Sequence, residues 1–232
     1  MIDLNRQDVD KMRIAGVIFD MDGLMFDTER LVQQAWRQVG QELGLELVDG
    51  LPDMMGVSVR QANLMFKQQF GESFDYYGAR RRRTALVEDA IARDGVPVKP
   101  GLYDILRSLA EWKIPAAVAT SSDQAVAERY LEMAQVRQYL TAVVCGDMVE
   151  RSKPDPQIFQ IAAELLGTKP EETVVLEDSF NGIKAASSGG FLPCMVPDLR
   201  QPTPELARLL VRQFSSLSDA IEFIEIFRLR NI

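Results

Sequence analysis

The sequence predicts an α/β protein: a doubly wound parallel sheet with a helical segment inserted into it. Three observations carry this expectation. Short apolar runs that stop abruptly at polar residues or glycine recur at 15–20, 116–120, 142–145, 173–176 and 191–196, as strands buried on both faces of a parallel sheet require. Helical patterns such as 156–166 and 181–188 separate these runs, and strands alternating with helices build a doubly wound sheet. Between Leu31 and Asp94 no strand pattern occurs, and Met, Gln, Leu and Phe recur at helical spacing instead.

Taken in order, Ala15-Gly-Val-Ile-Phe-Asp20 ends in acid with Gly23 close behind, so a buried strand passes into a loop at its carboxyl end. That edge is where α/β sheets place ligands. Residues 31–43, 59–70 and 76–92 carry the helical spacing, and Ser58 with Gln61 three positions later has the form of a capping box. Gly95-Val-Pro-Val-Lys-Pro-Gly101 would interrupt any helix and makes a plausible hinge. The expected organisation is a core from 1–30 and 96–232 with a helical domain at 31–95. The other arrangement is one continuous α/β domain with a long helical excursion, and 232 residues suit both.

Hydrophobic residues make up 47% of the chain and charged residues 26%, a globular balance able to bury a core. A net charge of −8 repels polyanions, so no nucleic-acid partner is expected. The run Arg80-Arg81-Arg82-Arg83 would spread around a helix at about 100° per residue. It reads as solvated surface, the other reading being that one arginine reaches a substrate anion. Cys145 and Cys194 sit in apolar runs, as small buried residues of a reducing compartment do. Residues 1–11 are polar, and no segment approaches the ~18 apolar residues of a membrane span. A cytoplasmic location without a membrane partner is the expectation, with a monomer or weak dimer as the assembly. The chain has no histidine, which excludes Ser-His and Cys-His nucleophile pairs and histidine-ligated zinc.

Chemistry is left to carboxylates, lysines, hydroxyls and the cysteines, and the carboxylates are placed suggestively. Asp20 and Asp22 stand one residue apart where a strand ends, so both side chains can face one small site. Glu177-Asp178 follows another apolar run in the same context. Four acids converging on one edge would repel one another without a cation, and oxygen-only ligands select a hard ion, Mg²⁺ above others. Thr120-Ser121-Ser122 ends a strand where a helix is expected to begin, offering a hydroxyl and backbone amides to an anion. Lys153, in Arg151-Ser-Lys-Pro-Asp-Pro156, offers an ammonium just before another helix.

Together, Val-Ile-Phe-Asp20-Met-Asp22-Gly, Val118-Ala-Thr120-Ser-Ser, Ser152-Lys153-Pro-Asp-Pro and Leu176-Glu177-Asp178-Ser-Phe-Asn181-Gly resemble the four signature motifs of the haloacid dehalogenase superfamily. The match runs over residues 17–190, and it is similar most of all to the β-phosphoglucomutase-like phosphatases, which insert a helical cap between their first two motifs. The resemblance implies a Rossmann-like core with an α-helical cap. It implies that Asp20 is the nucleophile and a metal ligand, and that Asp22 is the general acid and base and binds metal through its backbone carbonyl. Thr120, the Ser121 amide and Lys153 would hold phosphoryl oxygens, and Asp178 with Glu177 would complete a magnesium site.

An acid at position 22 implies phosphate-ester chemistry, since dehalogenase and phosphonatase relatives lack it. The function so implied is Mg²⁺-dependent hydrolysis of a small phosphorylated metabolite, a sugar or polyol phosphate. The alternatives are an intramolecular phosphotransferase of the β-phosphoglucomutase type and a sugar-phosphate sensor without turnover. Val32 stands where the mutases carry a histidine, which favours hydrolysis. In the cap, Gly56 and Arg60 are substrate candidates by resemblance, with a turn glycine and a surface arginine as the equal alternative. Asp27 and Glu29 read as residues that cap or tether the first cap helix.

Overall fold

A computed structural model describes residues 13–46 and 59–228. Its sheet has six parallel strands in the order β3-β2-β1-β4-β5-β6. They are β1 (Gly16–Phe19), β2 (Ala116–Ala119), β3 (Ala142–Val144), β4 (Thr173–Glu177), β5 (Leu192–Met195) and β6 (Arg212–Gln213). The helices are α1 (Thr28–Leu43), α2 (Val59–Phe70), α3 (Tyr76–Asp94), α4 (Leu102–Glu111), α5 (Gln124–Met133), α6 (Gln157–Leu166), α7 (Phe180–Ser188), α8 (Pro204–Ala207) and α9 (Leu217–Arg228). The chain divides into two compact units, Met1–Phe26 with Val98–Ile232, and Asp27–Pro97.

In the first unit β1, β2 and β4 are buried at every position, which explains why their sequences are continuous apolar runs and not alternating ones. Ile158, Phe159, Ala162 and Ala163 of α6 and Ala185 and Ala186 of α7 pack on Ile18, Ala117, Ala119 and Val175. The alanines of β2 and of both helices let this layer approach closely. Helices α4 and α9 pack together and bury Leu102, Ile105, Leu106 and Leu109 from one, and Leu217, Ala220, Ile224 and Phe227 from the other.

The register sets the site. Phe19 of β1 pairs with Val118 of β2 and with Leu176 of β4, so one residue further on Asp20 is level with Ala119 and Glu177. The Asp20 amide donates to the Leu176 carbonyl at 3.0 Å and the Thr120 amide to the Val144 carbonyl at 3.0 Å, extending the ladder past the strand ends. Phe26 and Val98 form an isolated antiparallel bridge, and the Lys99 amide donates to the Met25 carbonyl at 2.9 Å.

The second unit is helical. Val39, Ala62, Phe66, Tyr76 and Ala79 form its core, with Trp36, Phe70, Phe74 and Leu86 against them. Phe66 is the hub: its ring lies 5.0 Å from Tyr76, 5.2 Å from Trp36 and 5.4 Å from Phe74, separations at which aromatic pairs attract. The arginine run is spread as expected. Arg82 grips Glu42 with two hydrogen bonds, at 3.0 and 2.8 Å, Arg83 lies over the Trp36 ring, and Arg80 and Arg81 face solvent.

Three local readings change. Helix α5 begins at Gln124, not at Ser121, because the Ser122 amide bonds to the Thr120 hydroxyl at 3.0 Å, a side-chain partner that competes with helical bonding. Helix α1 begins at Thr28, three residues before the expected start. The two-residue strand β6 has both side chains exposed and so no apolar pattern to announce it. The Ser58 half of the expected capping box lies outside the described residues.

Candidate active site

Asp20, Glu177 and Asp178 are buried, and each offers a carboxylate oxygen within 4.8 Å of the others. Asp20 arrives there from β1 and the other two from β4, as the register dictates. Lys153 reaches the group from the turn before α6. Its ammonium donates to Asp20 Oδ1 at 2.5 Å, to Glu177 Oε1 at 2.7 Å and to the Ala119 carbonyl at 3.0 Å, and it lies 4.9 Å from the Phe159 ring. The residues nominated from β1, β4 and the 153 turn therefore meet.

Glu177 is fixed on both sides. While Oε1 takes Lys153, Oε2 accepts from the amide and hydroxyl of Ser179 at 2.9 and 2.8 Å, and the Ser179 hydroxyl caps α7 by accepting from the Gly182 amide at 3.0 Å. A side chain at Gly182 would run into the Glu177 carboxylate. Gly23, at φ +86°, is the corresponding allowance beside Asp178, where any Cβ would collide with Oδ2. Its left-handed backbone also suits glycine.

Charge and burial pull against each other here. Burial pushes the Asp20 carboxyl up to about 8 although Lys153 draws it down, and repulsion from Glu177 and Asp22 adds to the rise. For Lys153, burial alone would weaken the ammonium, but Asp20 and Glu177 outweigh it and hold it above the ordinary lysine range. Once Asp20 is ionised, three carboxylates against one ammonium leave two negative charges uncompensated. An all-oxygen, doubly negative cluster is a fit for a hard divalent cation.

Asp22 stands beside the cluster of three and not within it, at the same sheet edge, where its charge acts on Asp20. Its Oδ2 accepts from the Ser122 hydroxyl at 2.7 Å, with the Thr120 hydroxyl at 3.5 Å from the same oxygen. Strand β1 ends at Phe19, so positions 20 and 22 lie beyond the paired strand whose two-residue periodicity would align them. Ser122 is a site residue that the motifs did not single out. Thr120 is buried and Ser121 exposed at the end of β2. The start of α5 is covered by Asp147, whose two oxygens accept from the Gln124 amide at 3.2 and 3.3 Å.

Arg60 is exposed on the first turn of α2 in the helical unit, and Gly56 lies outside the described residues. Asp27 occupies the cap position of α1 without a capping bond, its carboxylate accepting instead from Arg30. Cys145 and Cys194 are buried free thiols, both pushed upward by burial to about 11 and about 12, so neither is poised to react. Among the described residues no helix is long and apolar enough to cross a membrane.

The family model for haloacid dehalogenase-like hydrolases matches residues 14–190. The chain is 33% identical over 177 residues to the phosphorylated carbohydrates phosphatase of Thermotoga maritima, covering 75% of this chain and 81% of that protein. It is 35% identical over 187 residues to the fructose-1-phosphate phosphatase YqaB of Escherichia coli, covering 77% and 94%. The crystal structure of a candidate β-phosphoglucomutase from Thermotoga maritima superposes with a TM-score of 0.74 at 27% identity, over 92% of this chain and 99% of the other. Strand-end acids, lysine and sheet order agree with a match that spans most of the sequence, and the chain belongs to the haloacid dehalogenase-like hydrolases.

Proposed function

We propose that the chain is a magnesium-dependent phosphatase that hydrolyses a small phosphomonoester, a sugar or polyol phosphate, through an aspartyl-phosphate on Asp20. The observation that carries this reading is the buried Asp20 carboxylate held by Lys153 at 2.5 Å beside Glu177 and Asp178. A relative named for phosphorylated carbohydrates and another named for fructose 1-phosphate support a sugar phosphate as the substrate class.

An Asp20 oxygen attacks phosphorus in line while the ester P–O bond breaks, and Asp22 gives its proton to the departing alkoxide. Lys153, the Thr120 hydroxyl and the Ser121 amide hold the phosphoryl oxygens. Water then attacks the aspartyl-phosphate and passes a proton to Asp22. The bond between Asp20 and phosphorus breaks, which frees inorganic phosphate and regenerates the carboxylate. Asp20, Asp178 and the Asp22 backbone carbonyl would hold the magnesium ion, with Glu177 completing its surroundings. When bound, the ion supplies positive charge against the carboxylate cluster and the phosphoryl oxygens. Gly56 and Arg60 would meet the substrate's non-reacting end.

Phosphate release from a panel of sugar and polyol phosphates with Mg²⁺ tests the reading. Turnover should disappear in Asp20→Asn, an isosteric change that removes the nucleophile. Full turnover in that variant excludes the mechanism, and rapid interconversion of hexose phosphates without release would assign a mutase instead.

A further inference from the structure

We propose that Ser122 is a positioning residue that aims the Asp22 carboxyl during proton transfer, a role that rests on Asp22 acting as the acid and base described above. The two residues stand 100 positions apart in sequence, yet the Ser122 hydroxyl donates to Asp22 Oδ2 at 2.7 Å. The Thr120 hydroxyl, at 3.5 Å from the same oxygen, is the weaker second contact.

Ser122 is itself held from three directions. Its amide donates to Thr120 Oγ1 at 3.0 Å, and its carbonyl accepts from the Gly146 amide at 3.0 Å. Gly146 lies so close to the Ser121 carbonyl that a side chain there would collide with it. Asp147, the next residue, binds the Gln124 amide and thereby fixes the helix that follows. A hydroxyl on a backbone pinned before, behind and after has little freedom to follow a wandering carboxylate. The carboxylate must conform to the hydroxyl.

A general acid works only while its proton is within hydrogen-bond reach of the leaving oxygen, and small misplacements of a reacting group are expensive in rate. The effect of losing Ser122 should therefore follow how much proton the leaving group needs. An alkoxide needs one; p-nitrophenolate departs without it.

Initial rates with Mg²⁺ on fructose 1-phosphate and on p-nitrophenyl phosphate test this in the full chain. Ser122→Ala should lower kcat/KM, which reports the steps up to departure of the alcohol and not the shared hydrolysis of the aspartyl-phosphate, by about 10- to 100-fold more on the sugar ester than on the aryl ester, a part of the 10²- to 10⁴-fold that acid-base assistance supplies. Ser122→Thr, which keeps the hydroxyl, should recover most of the ratio. Gly146→Ala, which displaces the loop but leaves the hydroxyl, should reproduce the selective loss and serves if Ser122→Ala fails to fold. Equal losses of kcat/KM on both esters, or no loss of it on the sugar ester, overturn the role of Ser122. Asp22→Asn separates this from the parent reading: without leaving-group selectivity there, Asp22 is not the acid, whereas selectivity there but not in Ser122→Ala overturns the positioning alone.

Discussion

Replacing Lys153 by methionine removes the ammonium that touches both Asp20 and Glu177 while leaving an apolar stem of similar length beside Phe159. At neutral pH, below the Asp20 value of about 8, the local charge of Asp20, Glu177, Asp178 and Lys153 then moves from −1 to −2 inside a pocket where Glu177 is 0% and Asp20 7% exposed. Breaking a buried ion pair from one side costs about 3–5 kcal/mol, since the stranded carboxylates lose their partner without regaining water. For a chain of this size each kcal/mol moves Tm by about 2–4 °C, so thermal unfolding in chelator at neutral pH should fall by roughly 6–20 °C. Adding Glu177→Gln restores the charge to −1 and should return part of that loss, with a coupling energy of about 1 kcal/mol or more in the double-mutant cycle. Circular dichroism of the four proteins reads all of these quantities. A single variant that melts within a degree of the parent, or strictly additive losses, would refute the claim that Lys153 is the counter-charge of the cluster.

The raised Asp20 carboxyl gives a pH signature. Its folded value, about 8, lies above the ordinary carboxylate range, so its contribution to stability is full at acid pH and is lost as pH rises through 8. In chelator, the wild type should lose Tm relative to Asp20→Asn between pH 6 and 9, and millimolar Mg²⁺ should close the gap; parallel curves would contradict the burial argument. In the helical unit, Phe66→Ala removes the ring at the centre of the aromatic cluster and should destabilise that unit by about 3–5 kcal/mol. Proteolysis of α1–α3 at temperatures where α4–α9 still resist would show it.

The sheet was legible because β1, β2 and β4 are buried on both faces and so spell continuous apolar runs that stop at Asp20, Thr120 and Glu177. Parallel pairing then brings those stops to one edge, and the order of the motifs carried most of the site. What was not legible depends on the backbone beyond the strands. Position 22 could be aligned with position 20 only by assuming an extended chain, and β1 ends at Phe19. The Ser122 contact and the three-way hold on its loop join residues about 25 and 100 apart in sequence with no local pattern. Helices α4 and α9 bury clear apolar faces, yet neither carries a motif.

The bridge between Phe26 and Val98 has an evolutionary consequence. Because the chain departs from the sheet and comes back at adjacent points, residues 27–97 amount to a loop whose ends already meet. Loop-closure entropy grows only with the logarithm of length, so the sheet tolerates a longer, shorter or differently folded excursion at little thermodynamic penalty. The excursion can then diverge in sequence and length, while the acids and lysine stay where the strands deliver them.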